Sequence, residues 1–259
     1  MKKTTWLVII SLIIALVLFI AGVILDGFNE LGRAYHQGDF NISLPFIRTE
    51  NLKREFEGVV NLDIEASAGN FEIIEYNGSV IKVVAENVSN RSELYQENDT
   101  LIFKENFKFG ILSIGNNANV KIYVPVNYQF DKVDIEIDAA SFNTANLLAD
   151  KLEIDVDAGS FKADTIIASK TIIDVDAGEA KIDLLDSQKS EFDADVGDIE
   201  VTMKGTESDY SYKVDCNLGD IQVGNYRGEG LSDGHHYHNG ARSIEADCNV
   251  GSIIIKMEV

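Results

Sequence analysis

Carboxylate side chains recur at fixed spacing along the middle of this 259-residue chain, and they are its clearest candidates for chemistry. Unit charges about 5 Å apart repel by about 1 kcal/mol in bulk water and about 3 kcal/mol at an effective dielectric near 20. A strip of such carboxylates is either a solvated acidic face or, because hard cations prefer oxygen ligands, a surface that binds Ca²⁺ weakly. The best-defined pairs, at the same two positions of a repeated phrase, are Asp155 and Asp157, Asp174 and Asp176, and Asp193 and Asp195.

Three histidines crowd one segment near the end of the chain, at His235, His236 and His238. Neutral imidazoles can bind Zn²⁺. No acidic or cysteine residue stands beside them at the spacing of a helical or hairpin ligand set. We therefore expect a solvent-exposed polar loop rather than a zinc site.

The two cysteines occupy equivalent repeat positions. Cys216 and Cys248 each lie three residues before a glycine, and their parity points both side chains inward. If their circuits are adjacent, the Cα atoms lie about 5 Å apart, inside the range of a disulfide. An oxidising exterior would permit that bond. The sequence leaves a disulfide and two small core residues as alternatives.

Catalytic constellations are scarce. Arg227 and Arg242 flank the last insertion, where a loop could form a cleft. Enzymes that act on polysaccharides can combine carboxylates with such groups. The sequence contains no Gly-rich phosphate loop, nucleophile elbow or metalloprotease helix. It therefore favours a protein that is not an enzyme and has no cofactor beyond weakly bound Ca²⁺. The alternative is a carbohydrate-active enzyme with a site near this last insertion loop.

The elements that carry these residues are predicted by a repeat. Aligned on Ala140, Gly159, Gly178 and Gly197, the copies are spaced by 19 residues. Such a period is typical of stacked repeats. The four clear copies read VDIEIDAASFNT (133–144), LEIDVDAGSFKA (152–163), TIIDVDAGEAKI (171–182) and SEFDADVGDIEV (190–201), and fainter ones read LDIEASAGNFEI (62–73), YKVDCNLGDIQV (212–223) and IEADCNVGSIII (244–255).

Within each copy the apolar residues alternate with polar ones, which is the pattern of a half-buried strand. In the second clear copy Ile154, Val156 and Ala158 form the apolar set, and the phase slips at Gly159. We attribute the slip to the backbone angles that glycine tolerates. Nineteen residues at about 3.3 Å each suit one circuit of a parallel β-solenoid. The predicted buried columns are Ile135, Ile154, Ile173 and Phe192, and Ile137, Val156, Val175 and Ala194.

The composition restricts the partners. The chain has 43 acidic and 22 basic residues and a formal charge of −21. A nucleic-acid partner is therefore not expected, because phosphates would be repelled. The apolar fraction of 45% indicates a folded chain rather than a disordered acidic one.

The N-terminus predicts a membrane anchor. Lys2 and Lys3 precede an uncharged apolar run at 6–25, long enough to span a bilayer as a helix. A cleaved signal peptide is the alternative. The lysines place the N-terminus in the cytoplasm and the rest outside. The expected organisation is a transmembrane anchor at 1–25, a tether at 26–50 and a β-solenoid domain at 51–259.

A strand that ends in Val-Pro at 124–125, then VDIEIDAASF and serial D-x-D-A-G phrases, resembles a bacterial β-strand-repeat family of candidate adhesins. The resemblance covers roughly residues 51–259, and the run GHHYHNG (234–240) departs from it. It implies an extracytoplasmic β-solenoid, commonly behind one membrane helix and sometimes linked with envelope stress. The family is a domain of unknown function and supplies no catalytic residues.

The sequence thus predicts an all-β, single-pass membrane protein with an extracytoplasmic solenoid. Its expected role is an adhesin-like binding or scaffolding module of the cell envelope. The expected partners are the membrane, through the N-terminal helix, and an envelope polymer or surface protein.

Overall fold

The computed structural model describes residues 49–105, 118–229, 235–237 and 240–258. Within these ranges no helix is long and apolar enough to cross a membrane. The predicted anchor, nearly all of the tether and His238 lie outside the described residues. The chain is all-β here, with one 3-10 turn at Glu207–Asp209. The strands are β1 (Thr49–Phe56), β2 (Asn61–Tyr76), β3 (Ile81–Ser89), β4 (Glu93–Glu97), β5 (Thr100–Lys104), β6 (Asn119–Pro125), β7 (Gln129–Val156), β8 (Ser160–Val175), β9 (Glu179–Ala194), β10 (Asp198–Met203), β11 (Tyr210–Cys216), β12 (Asp220–Val223), β13 (Tyr226–Glu229), β14 (His235–Tyr237), β15 (Arg242–Cys248) and β16 (Ser252–Met257).

The repeat copies stack as parallel circuits in register. β7 pairs with β8, and β8 with β9, at an offset of 19 residues, so equivalent positions lie directly above one another. The predicted solenoid-like stack and its two inward columns are therefore confirmed. Every member of those columns is buried: Ile135, Ile154, Ile173 and Phe192 in one, and Ile137, Val156, Val175 and Ala194 in the other.

The circuits of β7, β8 and β9 turn at three corners, where the sequence predicted one. The buried alternation of β8 is interrupted after Ala163 and after Ala168, each time by two successive residues that are not buried. Ala158 is also exposed, so the inward alternation ends at Val156 and the prediction for Ala158 is wrong. A polar residue at a corner looks the same in a sequence as an outward residue of a straight strand, and the extra corners were missed for that reason.

Close approach between circuits explains the glycine at the predicted corner. A Cβ on Gly178 would lie 2.4 Å from the carbonyl oxygen of Gly159 and 2.6 Å from Cγ1 of Val156. A Cβ on Gly159 would lie 2.3 Å from the carbonyl oxygen of Ala140. Only Gly69, at the start of this column, has a positive φ, at 103°. The explanation by unusual backbone angles is therefore wrong for the glycines of the four clear copies.

The last two copies stack in the reverse of their chain order. β15 pairs with β9 and β16 with β10, so the copy at 244–255 lies directly on the copy at 190–201. β11 and β12 pair with the other side of β15 and β16, which places the copy at 212–223 at the end of the stack. The antiparallel strands β13 and β14 pair with β12 and β11. The final circuit is thus inserted between two earlier ones.

The opposite end of the stack is covered by β1 and β3 to β6. β2 is the first circuit, and it pairs in parallel with β7 on one side and with β5 and β6 on the other. Aromatic rings continue the core into this cap, since Phe103 meets Phe71 at 5.8 Å and Phe71 stacks on Phe142 at 6.1 Å between ring centroids. This cap and the C-terminal hairpins give both ends of the stack antiparallel edges.

Candidate functional site

Two files of carboxylates run along one face of the stack, as the sequence predicted. They come from residues four and two positions before Ala140 and before each later corner glycine, and the register keeps each file aligned from circuit to circuit. We call the two files together the acidic strip. In stacking order the first file is Glu136, Asp155, Asp174, Asp193, Asp247 and Asp215, and the second is Asp138, Asp157, Asp176 and Asp195.

A shallow groove of about 250 Å³ lies in the acidic strip. The buried side chains of Ile137 and Val156 contribute to its lining. At about 30 Å³ for each water molecule, the groove has room for a partly hydrated ion. Its carboxylate lining is formed by Glu136, Asp138, Asp155, Asp157, Asp174 and Asp176.

The carboxylates of the strip destabilise one another's charged forms. Partial burial raises the pKa of Asp155, Asp174 and Asp193, and neighbouring carboxylates raise it further. The pKa values of Glu136 and Asp157 are raised for the same two reasons. In the described part of the chain none of these five forms an ion pair. These five carboxylates therefore form a stretch of concentrated negative charge without ion-pair partners among the described residues.

A file of lysines neutralises the acidic residues beside the strip, and the sequence analysis overlooked it. Lys151 Nζ lies 2.7 Å from Glu153 Oε2, and Lys189 Nζ lies 2.9 Å from Glu191 Oε1. These bonds lower the pKa of both glutamates. The 19-residue spacing was an available signal, since a lysine stands eight residues before each corner in the clear copies: Lys132, Lys151, Lys170 and Lys189.

At the C-terminal end of the stack, two asparagines take the place of aspartates in the second file. Nδ2 of Asn217 donates to Oδ1 of Asn249 at 2.7 Å, and Nδ2 of Asn249 donates to Oδ1 of Asp195. The charge density of the strip therefore falls toward this end. The reversed stacking order is what brings Asn249, rather than Asn217, against Asp195.

The strip does not form a closed metal site. Over the described ranges no group of three or more His, Cys, Asp or Glu side chains is arranged to hold a metal ion. A repeating row of carboxylates offers each ion few ligands at once, which corresponds to weak binding at most. Ca²⁺ on Asp155, Asp157, Asp174, Asp176, Asp193 and Asp195 stays a prediction.

The two cysteines are brought together. Cys216 and Cys248 are register partners on β11 and β15, and both are buried and free in this structure. Each thiol donates to the carbonyl oxygen of its corner glycine, Gly219 or Gly251, at 3.1 Å. The adjacency that a disulfide requires is present, and the bond itself stays a prediction.

The last insertion contributes structural contacts. Arg242 Nη1 lies 3.0 Å from Asp186 Oδ1 and donates to the Tyr210 hydroxyl at 3.2 Å. Its guanidinium also covers the Tyr210 ring, 5.8 Å from the centroid. These contacts fix Arg242 against β9 and β11, so it is not a free catalytic cation. His235 and His236 belong to β14 and not to a loop, which corrects the sequence interpretation of those two residues.

Stacked parallel circuits, a column of corner glycines and an acidic face define an all-β, solenoid-like repeat protein. The chain belongs to the Toastrack DUF4097 family, whose family model matches residues 59–232. The family resemblance that the repeat phrases indicated is thereby confirmed. Comparison with curated proteins gives no match.

Solved structures of bacterial proteins show a distant likeness. A candidate cell adhesion protein from Clostridium sporogenes is 15% identical, with a TM-score of 0.45, over 82% of this chain and 100% of that one. A candidate adhesin from Parabacteroides distasonis is 14% identical, with a TM-score of 0.39, over 80% and 97%. A candidate lipid-binding protein from the same species is 11% identical, with a TM-score of 0.36, over 82% and 97%. Likeness at this level carries no conclusion about a ligand.

Proposed function

We propose that this chain is an adhesin-like binding module of the cell envelope, whose contact surface is the acidic strip. The observation that carries the proposal is the alignment of carboxylates without ion-pair partners in successive circuits, directly beside a file of acidic residues that lysines neutralise. The lysine file neutralises Glu153 and Glu191, whereas Asp155, Asp174 and Asp193 lie two positions further along without such partners. A surface that concentrates charge of one sign attracts cationic partners.

The proposed localisation of the module rests on the N-terminal segment. The lysines at 2 and 3 and the apolar run at 6–25 support an anchor with the acidic domain outside the cytoplasm. Protease accessibility on intact cells tests this orientation. The proposal requires that an epitope tag at the C-terminus is cleaved without permeabilisation.

No observation favours the carbohydrate-active enzyme that the sequence left as an alternative. The groove is lined by like-charged carboxylates with no cation beside them among the described residues. Arg242 is committed to Asp186 and Tyr210. Binding therefore explains the surface better than turnover does.

Retention on the cell envelope tests the proposed function directly. The purified chain is labelled and added to isolated envelopes, and the retained fraction is compared for wild type and the strip variant Asp155→Asn/Asp174→Asn/Asp193→Asn. The matched control is Asp150→Asn/Asp164→Asn/Asp183→Asn, which removes the same charge from exposed residues outside the strip. We expect retention to fall at least threefold in the strip variant and to be unchanged in the control. Equal retention of all three proteins would contradict the proposal.

Divalent cations provide a second prediction for the same surface. Extracellular Ca²⁺ modules bind at about 10⁻⁴–10⁻³ M. At ten times the dissociation constant, one site stabilises the fold by about 1.4 kcal/mol, which raises the melting temperature by a few degrees. The melting temperature in millimolar CaCl₂ is therefore expected to exceed the melting temperature in NaCl. The two solutions have equal ionic strength, because salt alone also screens the repulsion between carboxylates. The strip variant should lose this difference, and equal melting of wild type in both salts would reduce the strip to a solvated surface.

A further inference from the structure

An exposed apolar ridge runs beside the acidic strip. It is formed by the residue that precedes each corner glycine, or Ala140, and it follows the stacking order through successive backbone hydrogen bonds. The side chains of these residues are larger toward the C-terminal end of the stack. From the first circuit of β7 onward, the apolar ridge consists of Ala139, Ala158, Ala177, Val196, Val250 and Leu218.

The three large members of this ridge are unusually exposed. Val196 is 63% exposed, Val250 is 54% exposed and Leu218 is 69% exposed. They come from three different parts of the chain, and the inserted final circuit is what places Val250 between the other two. At about 4.8 Å for each circuit, they form a continuous apolar edge roughly 10 Å long. A contiguous apolar patch with a charged border is typical of an interaction site.

Carboxylates border the ridge on both sides: Asp193 and Asp195 lie on the side of the strip, and Asp198 and Asp220 lie on the other side. Asn249, Asn217 and Ser252 take the place of carboxylates beside Val250 and Leu218, so the border is most acidic around Val196. Ion pairs in the described ranges involve none of these four carboxylates. Asp198 instead accepts a hydrogen bond from Ser252 at 2.6 Å. A partner that covers the apolar edge therefore also contacts carboxylates on both sides of that edge.

We propose that the apolar ridge docks a basic amphipathic helix, with the helix's apolar stripe on Val196, Val250 and Leu218 and its lysines or arginines over the flanking aspartates. Successive turns of a helix are 5.4 Å apart, close to the spacing between circuits, so side chains at i, i+4 and i+7 can follow the ridge. The small side chains of Ala139, Ala158 and Ala177 let the helix continue along the stack. This inference rests on the proposed function, because it names the partner of the same face.

Charge complementarity selects this partner over a second copy of the chain. Two copies would bring two acidic borders together, and each chain carries a formal charge of −21. Like charges opposite one another across an interface weaken binding. An anionic lipid surface would be repelled for the same reason.

A designed 18-residue peptide with a leucine stripe flanked by lysines is the probe, and fluorescence anisotropy with the full chain is the measurement. The ridge variant is Val196→Ser/Val250→Ser/Leu218→Ser, which changes only exposed side chains and keeps every backbone donor. The control variant is Ile167→Ser, at another exposed apolar residue, which is 43% exposed. All variants carry the same N-terminal segment, so differences between them report on the ridge.

We expect the ridge variant to bind the peptide at least tenfold more weakly than wild type, and Ile167→Ser to bind it like wild type. The strip variant should also bind more weakly and show a smaller dependence on NaCl. A peptide of the same composition with its leucines scrambled should bind at least tenfold more weakly to wild type, and a leucine–glutamate peptide should not bind. Equal binding to wild type and the ridge variant, or equal binding of the scrambled peptide, would overturn the inference.

The two proposals fail in distinguishable ways. Envelope retention that depends on the strip, together with no preference for the amphipathic peptide, would refute the helix and leave the binding module standing. If neither strip-dependent retention nor a preference for the amphipathic peptide is observed, both proposals are refuted. Binding of the wild type to vesicles of anionic phospholipid, undiminished in the strip variant, would identify a lipid surface as the partner and overturn the inference.

Discussion

At the scale of single residues, Glu105 is a carboxyl group that the fold buries, with only 2% of it exposed. It lies at the end of β5, where its Oε2 accepts a hydrogen bond from the Ala68 amide at 3.2 Å and its carbonyl oxygen accepts one from Ser67 at 2.6 Å. Its Oε1 has no hydrogen-bond partner within the described residues. Burial raises its pKa to about 7, and the nearby charge of Asp138 adds to the shift. The ordinary value of 4.5 applies to the unfolded chain.

This raised pKa predicts a loss of stability between about pH 4.5 and pH 7. The folded state holds the proton more tightly than the unfolded state, so the stabilising contribution is complete below the unfolded pKa and disappears as pH rises through the folded one. The Glu105→Gln variant carries a neutral group at every pH. Its free energy of unfolding, from urea titrations, should therefore fall less from pH 5 to pH 8 than that of wild type. An identical pH slope in both proteins would show that Glu105 does not ionise in this window.

The cysteine pair supports a second prediction at this scale. Burial raises the pKa of the Cys248 thiol to about 12, so in the reduced protein it is a poor nucleophile. In an oxidising exterior the register of Cys216 and Cys248 favours a disulfide. We expect no free thiol when the chain, isolated from the envelope without reductant, is unfolded and titrated. Two titratable thiols would leave the pair as small core residues.

At the scale of the elements, each inward strand ends shortly before the corner glycine, and the residues between them are exposed. Val156 is buried in a column of equivalent residues, whereas Ala158, two residues later, is exposed. A substitution by Asp should therefore strongly destabilise the fold at Val156 and have little effect on its stability at Ala158. Burying an unpaired carboxylate costs several kcal/mol, which is comparable with the whole stability of a domain.

We predict that Val156→Asp prevents folding and that Ala158→Asp melts within a few degrees of wild type. Circular dichroism and thermal melting measure both. Retention of the wild-type melting temperature by Val156→Asp would mean that this column is not the core.

At the scale of the whole stack, the inserted final circuit makes the C-terminal end depend on the last residues of the chain. Ile253 pairs with Ile199 on one side and with Ile221 on the other. Ile221 has a parallel circuit on one side only, and the short strand β13 lies on its other side. The circuit that comes last in the chain is thus interior, and an earlier one is terminal.

Hydrogen exchange should reveal this order. We predict that Ile253→Asp removes amide protection from β15 and β16 and also from β11 and β12, because the terminal circuit loses its support. Ile221→Asp should remove protection from β11 and β12 alone. The reverse result, with β15 and β16 lost in Ile221→Asp and β11 and β12 kept in Ile253→Asp, would mean that the copies stack in chain order.

The sequence alone determined which side chains share a column, because its clear copies repeat every 19 residues. Side chains at equivalent positions of a parallel stack must lie above one another, so the inward columns and the acidic strip of the clear copies could be predicted from spacing alone. The common position of Cys216 and Cys248 came from aligning the fainter copies on Gly219 and Gly251. The lysine file carried the same signal and could have been predicted with it.

Only the tertiary structure decided the order of the last circuits, the extra corners and the apolar ridge. The copies at 212–223 and 244–255 have nearly the same pattern, so either could pack on the copy at 190–201, and their own sequences do not decide between the two orders. The ridge depends on that choice, since Val250 lies between Val196 and Leu218 only in the reversed order. A repeat pattern specifies which residues face inward, but contacts between distant segments specify which circuits become neighbours.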